Sequence, residues 1–365
     1  MKNRFLLLIN SLLMISSLAS CNTNINSDKT ALDYGSLCLN NEEPLELINK
    51  TDTDNDRLLD FFTHKEDGET IKSYKSAIIA FYFTNECACW TATKGLLKQF
   101  ALKHNVLIYY YNATGVDAKD VAYSVNIKNV NNDPLYAIIK KGKLEYVDRF
   151  NSEKSRFSDF KIFEQHLLTK IELPRMFYVS KEQLDAMYNS TNNFVIYFAW
   201  SSCSDCKYTN DHFLYDYMAK TNKKMYVLDC DVDGIRFDDK GNVDNEQYTI
   251  FKQEYGLSSD TNPTFGYETG FVPTFFYVEP NGNKITSIKS GIVVQNDKIN
   301  DENIVTRTYF TNERKDNLDY LDGIEVTVLE GIKLKEGEKL GYLEQKEEFA
   351  KYHNPLLKSF LDLHL

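Results

Sequence analysis

The stretch FVIYFAWSSCSDC, residues 194–206, decides the fold. Its first half, Phe194 to Trp200, is apolar and rich in β-branched and aromatic side chains, which predicts a buried strand. A short polar turn follows, and Cys203 and Cys206 then open a helical pattern that runs on through Phe213, Leu214 and Tyr217. The chain nearly repeats this layout earlier. AIIAFYFTNECACW, residues 77–90, has a strand run from Ala77 to Phe83, a polar turn, and a helical pattern through Leu96, Leu97 and Phe100. In both copies a cysteine stands five residues after an aromatic, Cys87 after Tyr82 and Cys203 after Phe198.

The two copies also continue alike. Each has a second strand (NVLIYYYN; KKMYVLDCD) and a short helix (KDVAYSVNI; QYTIFKQEYGL). A proline then opens a strand, turn and strand (DPLYAIIKKGKLEYVDRF; VPTFFYVEPNGNKITSI). Strands alternating with helices imply an α/β fold, and the closing hairpin makes each sheet mixed.

A strand, a Cys-x-x-Cys at a helix start, and a later Val272-Pro273-Thr274 before a hairpin resemble the thioredoxin fold, here laid out twice. The resemblance implies two thioredoxin-like domains, each a mixed central sheet flanked by helices. The first covers 45–170 and has the altered motif CACW. The second covers 171–365, with the CSDC motif and insertions near 234–262 and 291–342. It also implies a cis Pro273 packed against the cysteine pair, with Val272, Pro273 and Thr274 lining the substrate groove. Asp133-Pro134 matches the cis-proline place of the first copy. The closing helix is expected in EEFAKYHNPLLKSFLDLHL, where Pro355 can bend it, and 291–342 carries no motif.

Physical chemistry assigns roles to the pair. A helix N-terminus favours an anion by about 0.3–1 kcal/mol, which moves a free thiol from about 8.5 toward neutrality. Cys203 is therefore the candidate nucleophile and Cys206 the buried resolving thiol. Asp205 opposes the thiolate. Relatives of the thioredoxin type often carry a buried acid where this chain has Tyr197, and a tryptophan where it has Ser202. Two other readings stay open: a structural disulfide, which would close too short a loop to remove much unfolded-state entropy, and half a zinc site, for which the remaining ligands are missing. No cofactor and no metal are called for. His212 reads as a surface or edge histidine.

In the first copy Cys87 keeps the nucleophile place, Trp90 takes that of the second cysteine, and Cys89 falls one position early. This pair is either a second redox site or the remnant of one, in a domain kept for packing or partner binding; the latter reading is preferred. Cys230 reads as a half-buried structural thiol and Cys38 is unassigned. The acidic runs DCDVDG (Asp229, Asp231, Asp233, Gly234) and TDTDND (Asp52, Asp54, Asp56) lack the full set of calcium-loop positions, so they read as solvated loop charges.

The chain begins MKNRFLLLINSLLMISSLASC. Lys2 and Arg4 ahead of an apolar segment mark residues 1–20 as a signal peptide, and Leu18-Ala19-Ser20-Cys21 resembles a bacterial lipobox, which implies lipidation at Cys21. Residues 21–44 are polar and read as a flexible tether. A net charge of −11 argues against a nucleic-acid partner and against a basic membrane-binding patch. The expected protein is thus extracytoplasmic and lipid-anchored to the bacterial cell membrane. It would exchange thiols and disulfides with exported proteins, in concert with a membrane redox partner. The rival expectation is an accessory lipoprotein that uses the fold for binding without turnover.

Overall fold

The computed structural model describes residues 29–37, 45–48, 63–66, 69–84, 87–115, 133–151, 154–310, 325–333, 335 and 342–365, with short gaps at 233, 239, 259, 263–265, 267–269, 271, 284 and 290–293. The described chain enters through β1 (Thr30–Ala31) and β2 (Tyr34–Ser36). The first sheet starts with β3 (Leu45–Ile48), and a separate hairpin of β4 (Thr63–Glu66) and β5 (Glu69–Tyr74) follows. Next come β6 (Ala77–Tyr82), α1 (Ala88–His104), β7 (Ile108–Asn112), β8 (Leu135–Lys140), β9 (Lys143–Arg149) and α2 (Phe160–Leu168). The strand order is β3-β7-β6-β8-β9. β3, β7 and β6 are parallel, while β8 and β9 are antiparallel to their neighbours.

The second sheet repeats this plan. Its elements are β10 (Ile171–Glu172), β11 (Met176–Tyr178), α3 (Lys181–Tyr188) and β12 (Phe194–Ala199), then α4 (Ser204–Thr209), which continues through a π turn at Asn210–Leu214 into α5 (Tyr215–Lys220). β13 (Met225–Asp229), α6 (Asn245–Glu254), β14 (Thr274–Val278) and β15 (Ile285–Lys289) complete it. The order is β15-β14-β12-β13-β11-β2. Again β11, β13 and β12 are parallel and the last two strands antiparallel. Two mixed sheets with one strand order and a helix after the central strand form a tandem thioredoxin-like α/β architecture.

The central strands β6 and β12 are buried at every position, as a strand covered on both faces requires. Alternation still sorts their side chains. Ile78, Ala80 and Tyr82 join Leu97 and Phe100 of α1 on one face, and Ile79 and Phe81 join Tyr109 and Ala137 on the other. The stretch 291–342, read as an insertion without a motif, contains a three-stranded antiparallel sheet of β16 (Val294–Ile299), β17 (Ile304–Phe310) and β18 (Glu325–Lys333). The closing helix α7 (Tyr342–His364) carries Pro355 in its interior and buries Leu357, Phe360 and Leu361 in the second core. The segment 234–262 also packs inward, through Ile235, Tyr248, Phe251, Tyr255 and Leu257.

The tether expectation needs correction. Residues 30–31 pair with β10, and β2 is the sixth strand of the second sheet, parallel to β11. Tyr34 is the reason. Its ring stacks on Tyr178 at 4.6 Å, and its hydroxyl accepts from Tyr215 at 3.0 Å and from Asn210 at 3.3 Å. Gly35 lets this strand lie against the first unit as well, where it bridges Val106. A Cβ at Gly35 would sit 2.0 Å from the Asn105 carbonyl oxygen and 2.7 Å from the Phe177 ring, so only glycine fits. The upstream part of the tether, the signal peptide, Cys21 and Cys38 lie outside the described residues.

Between β1 and β2, Asp33 clasps the first unit. Its N–H donates to the Ser76 carbonyl at 3.2 Å and its carboxylate accepts the Ser76 N–H. Burial pushes the Asp33 carboxyl up to about 7, against the Ser76 N–H and the nearby Lys75 and Lys141, with Asp211 adding to the rise. The folded protein thus holds a proton that the unfolded chain releases near pH 4. Stability from this group is complete below pH 4 and falls by at most about 1.4 kcal/mol per pH unit as pH rises to about 7. Asp33→Asn keeps the acceptor and removes the titration. Its melting temperature should therefore rise relative to that of the parent between pH 5 and pH 8, and an unchanged difference would refute this assignment.

Candidate functional site

β12 delivers the chain to Trp200, and a turn places Cys203 as the N-cap of α4, with φ −76° and ψ 123°. N-caps are commonly Ser, Thr, Asp or Asn, whose side-chain oxygen accepts a free helix N–H. Here sulfur does so: Cys203 Sγ accepts the Cys206 N–H at 3.4 Å. Cys203 is half-buried and Cys206 is 1% exposed. The two thiols are accordingly pushed apart. The Cys203 thiol is lowered, first by a hydrogen bond from the Cys206 thiol and also by the backbone N–H groups of Cys206 and Asp205, against burial and the Asp205 charge. Burial drives the Cys206 thiol well up, and its bond to Cys203 adds to that. The opposing charge of Asp205 anticipated from the sequence is present but outweighed.

Tyr197 lies beneath this pair, fully buried and stacked on Phe275 at 4.3 Å. Its hydroxyl is directed at the Cys206 thiol, its main electrostatic neighbour, and has no other hydrogen-bond partner among the described residues. Burial holds that hydroxyl protonated, so it can offer Cys206 a proton-bearing dipole without taking up the charge of a carboxylic acid. Above the pair, Trp200 carries the Arg236 guanidinium 4.0 Å over its ring, and Arg236 is fixed by Asp231 at 2.6 Å.

The groove residues lie on the neighbouring strand. Phe198 pairs with Thr274, and the peptide bond entering that strand, Val272–Pro273, is cis. Val272 and Thr274 are 4% and 1% exposed, so both are buried beside the cysteine pair. Asp133–Pro134 differs from the expectation drawn from its position: Val272–Pro273 is the one cis bond among the described residues.

The first unit holds a different arrangement. Cys87 caps α1 but is joined to Cys89 in a disulfide, with Cα atoms 5.1 Å apart. Trp90, at the place of a second cysteine, is buried and stacked on Tyr82 at 4.5 Å. An aromatic pair thus fills the space in which a resolving thiol would lie. Cys230, read as half-buried, is wholly buried, and burial raises its thiol well above the usual range. His212 is exposed on the π turn and packs on Tyr208 at 4.2 Å.

The acidic run at the end of β13 is structural and local. Asp229 Oδ1 accepts the Ser201 N–H at 3.1 Å and the Asp231 N–H at 2.9 Å, which ties the turn before Cys203 to β13. Sequence reasoning saw these acids only as solvated charge. Their position directly after a buried strand was the signal that they pack against the cysteine turn. Residues 52–56 fall outside the described part.

No family model matches the chain, and no curated protein matches it. Among solved structures it is similar to human ERp44 at 8% identity, with a TM-score of 0.33, over 68% of this chain and 51% of that one. Full-length ERdj5 matches at 10% identity and a TM-score of 0.22, over 67% of this chain and 30% of that one. The bb fragment of ERp72 matches at 10% identity and 0.30, over 68% of this chain and 90% of that one. The chain spans about half the length of the ERp44 chain. Likenesses this distant carry no argument about activity; the fold rests on strand order and register.

Proposed function

We propose that this protein is an extracytoplasmic thiol–disulfide oxidoreductase, held at the membrane through a lipidated Cys21, that acts on exported proteins. The observation supporting this reading is the divergence of the two thiols: an accessible Cys203 lowered at a helix N-terminus above a buried Cys206 held protonated. A thiolate on Cys203 attacks a client disulfide sulfur and forms a mixed disulfide, and the client's other sulfur leaves as a thiolate that takes up a proton. Cys206, giving up its proton, then attacks Cys203 and releases the client's second thiol, leaving Cys203–Cys206 oxidised. The reverse sequence oxidises a client dithiol, and a membrane redox partner would reset the pair. In the first unit, where Trp90 fills the resolving place, the Cys87–Cys89 disulfide serves packing or partner contact rather than turnover.

Replacing Cys206 with serine removes only the resolving step. The variant should accumulate covalent, reductant-sensitive adducts with exported proteins through Cys203, visible as new bands on a non-reducing gel. Absence of adducts in the oxidising compartment would favour the non-catalytic binding role instead.

A further inference from the structure

Two donors converge on the sulfur of Cys206. The Trp200 N–H donates to Cys206 Sγ at 3.4 Å, and the Tyr197 hydroxyl is directed at the same thiol. Both come from the end of β12, Tyr197 within the strand and Trp200 directly after it. The Tyr197 ring is held in place. It lies flat on Phe275, with centroids 4.3 Å and planes 4° apart, and the strand register sets Phe275 opposite it. Tyr197 is 0% exposed and Cys206 1%, so bulk water is excluded where the two meet.

The demand on this place arises in the resolving step. In the mixed disulfide Cys203 is bonded to the client sulfur, so the Cys206 S–H no longer faces a thiolate and its proton leaves to solvent. The Cys206 electron pair then forms the Cys203–Cys206 bond. The Cys203–client bond breaks, and the client sulfur departs with that electron pair and takes up a proton from solvent. Between these events a negative charge sits on a sulfur removed from water, which is costly unless donors are already aimed at it. A carboxylate at this position would repel that charge. A hydroxyl held protonated by burial only donates.

We propose that Tyr197 assists resolution, its hydroxyl and the Trp200 N–H forming a fixed two-donor cradle for the Cys206 thiolate while the Tyr197 proton stays in place. The inference rests on the exchange reading given above for Cys203 and Cys206. Tyr197 takes no part in the first attack, because Cys203 receives its hydrogen bonds from the Cys206 thiol and from the N–H groups of Cys206 and Asp205.

The test uses the reduced full chain and the aromatic disulfide dithiobis(nitrobenzoate), whose two halves each leave as a coloured thiolate. One is released when Cys203 attacks and the other when Cys206 resolves. In stopped flow the first release speeds up with reagent concentration and the second does not; release from Cys203→Ser, which keeps the other thiols, is subtracted as background. Tyr197→Phe retains the ring and its stack on Phe275. It should leave the first release within about twofold of the parent and slow the second about three- to tenfold. Losing a hydrogen bond to a charged group raises a thiol by about one to two units, and about half of that returns as nucleophilicity. The pH at which the second release levels off should also rise by about one unit or more. With Cys203 in disulfide linkage, Tyr197 of β12 and Tyr248 of α6 are the titratable groups that face Cys206, and burial keeps both protonated. A second release as fast in Tyr197→Phe as in the parent, or both releases slowed alike, would overturn the inference and leave the exchange reading standing. No release above background in the parent would overturn the exchange reading and the inference with it.

Discussion

Replacing Cys203 with serine should reduce thiol–disulfide exchange to background, while the same change at Cys230 should leave it intact. The geometry sets this contrast. Cys203 is half-exposed and caps a helix, whereas Cys230 is wholly buried and raised by that burial. Thiolate fraction and intrinsic nucleophilicity work against each other. The first unit that a thiol falls below about 8.5 raises its thiolate fraction at pH 7 about eightfold and reduces its nucleophilicity about threefold, and a further unit brings almost no net gain. Burial raises the Cys206 and Cys230 thiols, so the selectivity comes mostly from the suppressed partners. Iodoacetamide at pH 7 should therefore modify Cys203 more than about tenfold faster than Cys206 or Cys230 in the reduced native protein. Because the Cys203 thiol is lowered, its alkylation rate should level off at a pH below that of a free thiol. Comparable labelling of Cys203 and Cys206, mapped by mass spectrometry, would contradict the division into nucleophile and resolving thiol.

Tyr34→Ala should destabilise the protein by about 3–5 kcal/mol, the cost of deleting a large buried aromatic. Against a total stability of about 5–15 kcal/mol that is a major fraction. Three interactions would go at once: the stack on Tyr178, the edge contact with Tyr215, and the acceptor for Tyr215 and Asn210. Tyr34→Phe keeps the ring and leaves Tyr215 and Asn210 without their acceptor, so it should cost about 1 kcal/mol. Chemical denaturation of both variants checks the pair. If Tyr34→Ala melted like the parent, the N-terminal segment would be the dispensable tether that its composition suggests.

These two sites show where local sequence was sufficient and where it was not. The strand–cysteine–helix unit at 194–206 was legible because each part of it is local: an unbroken apolar run, a turn, and a helical period, with the thiols at the one place where free N–H groups gather. The same holds for the first copy, and for α7, whose apolar spacing marks it as the closing helix. The short strands were not legible. β2 is only Tyr34–Ser36, and β11 only Met176–Tyr178, too few residues for any period to appear. They exist because a neighbouring strand offers a ladder and a core offers a socket for one aromatic ring.

The sequence by itself therefore determined the thioredoxin-like α/β plan, its duplication, and the difference between CSDC and CACW, because those are matters of residue type and near-neighbour spacing. Only the tertiary structure decided that a polar N-terminal segment is a strand joining both units, that Trp90 is buried and stacked on Tyr82, and that Asp229 lines a cavity beside Cys203. Those outcomes depend on contacts between residues far apart in the chain and on how completely each group is removed from water, neither of which is set by local pattern.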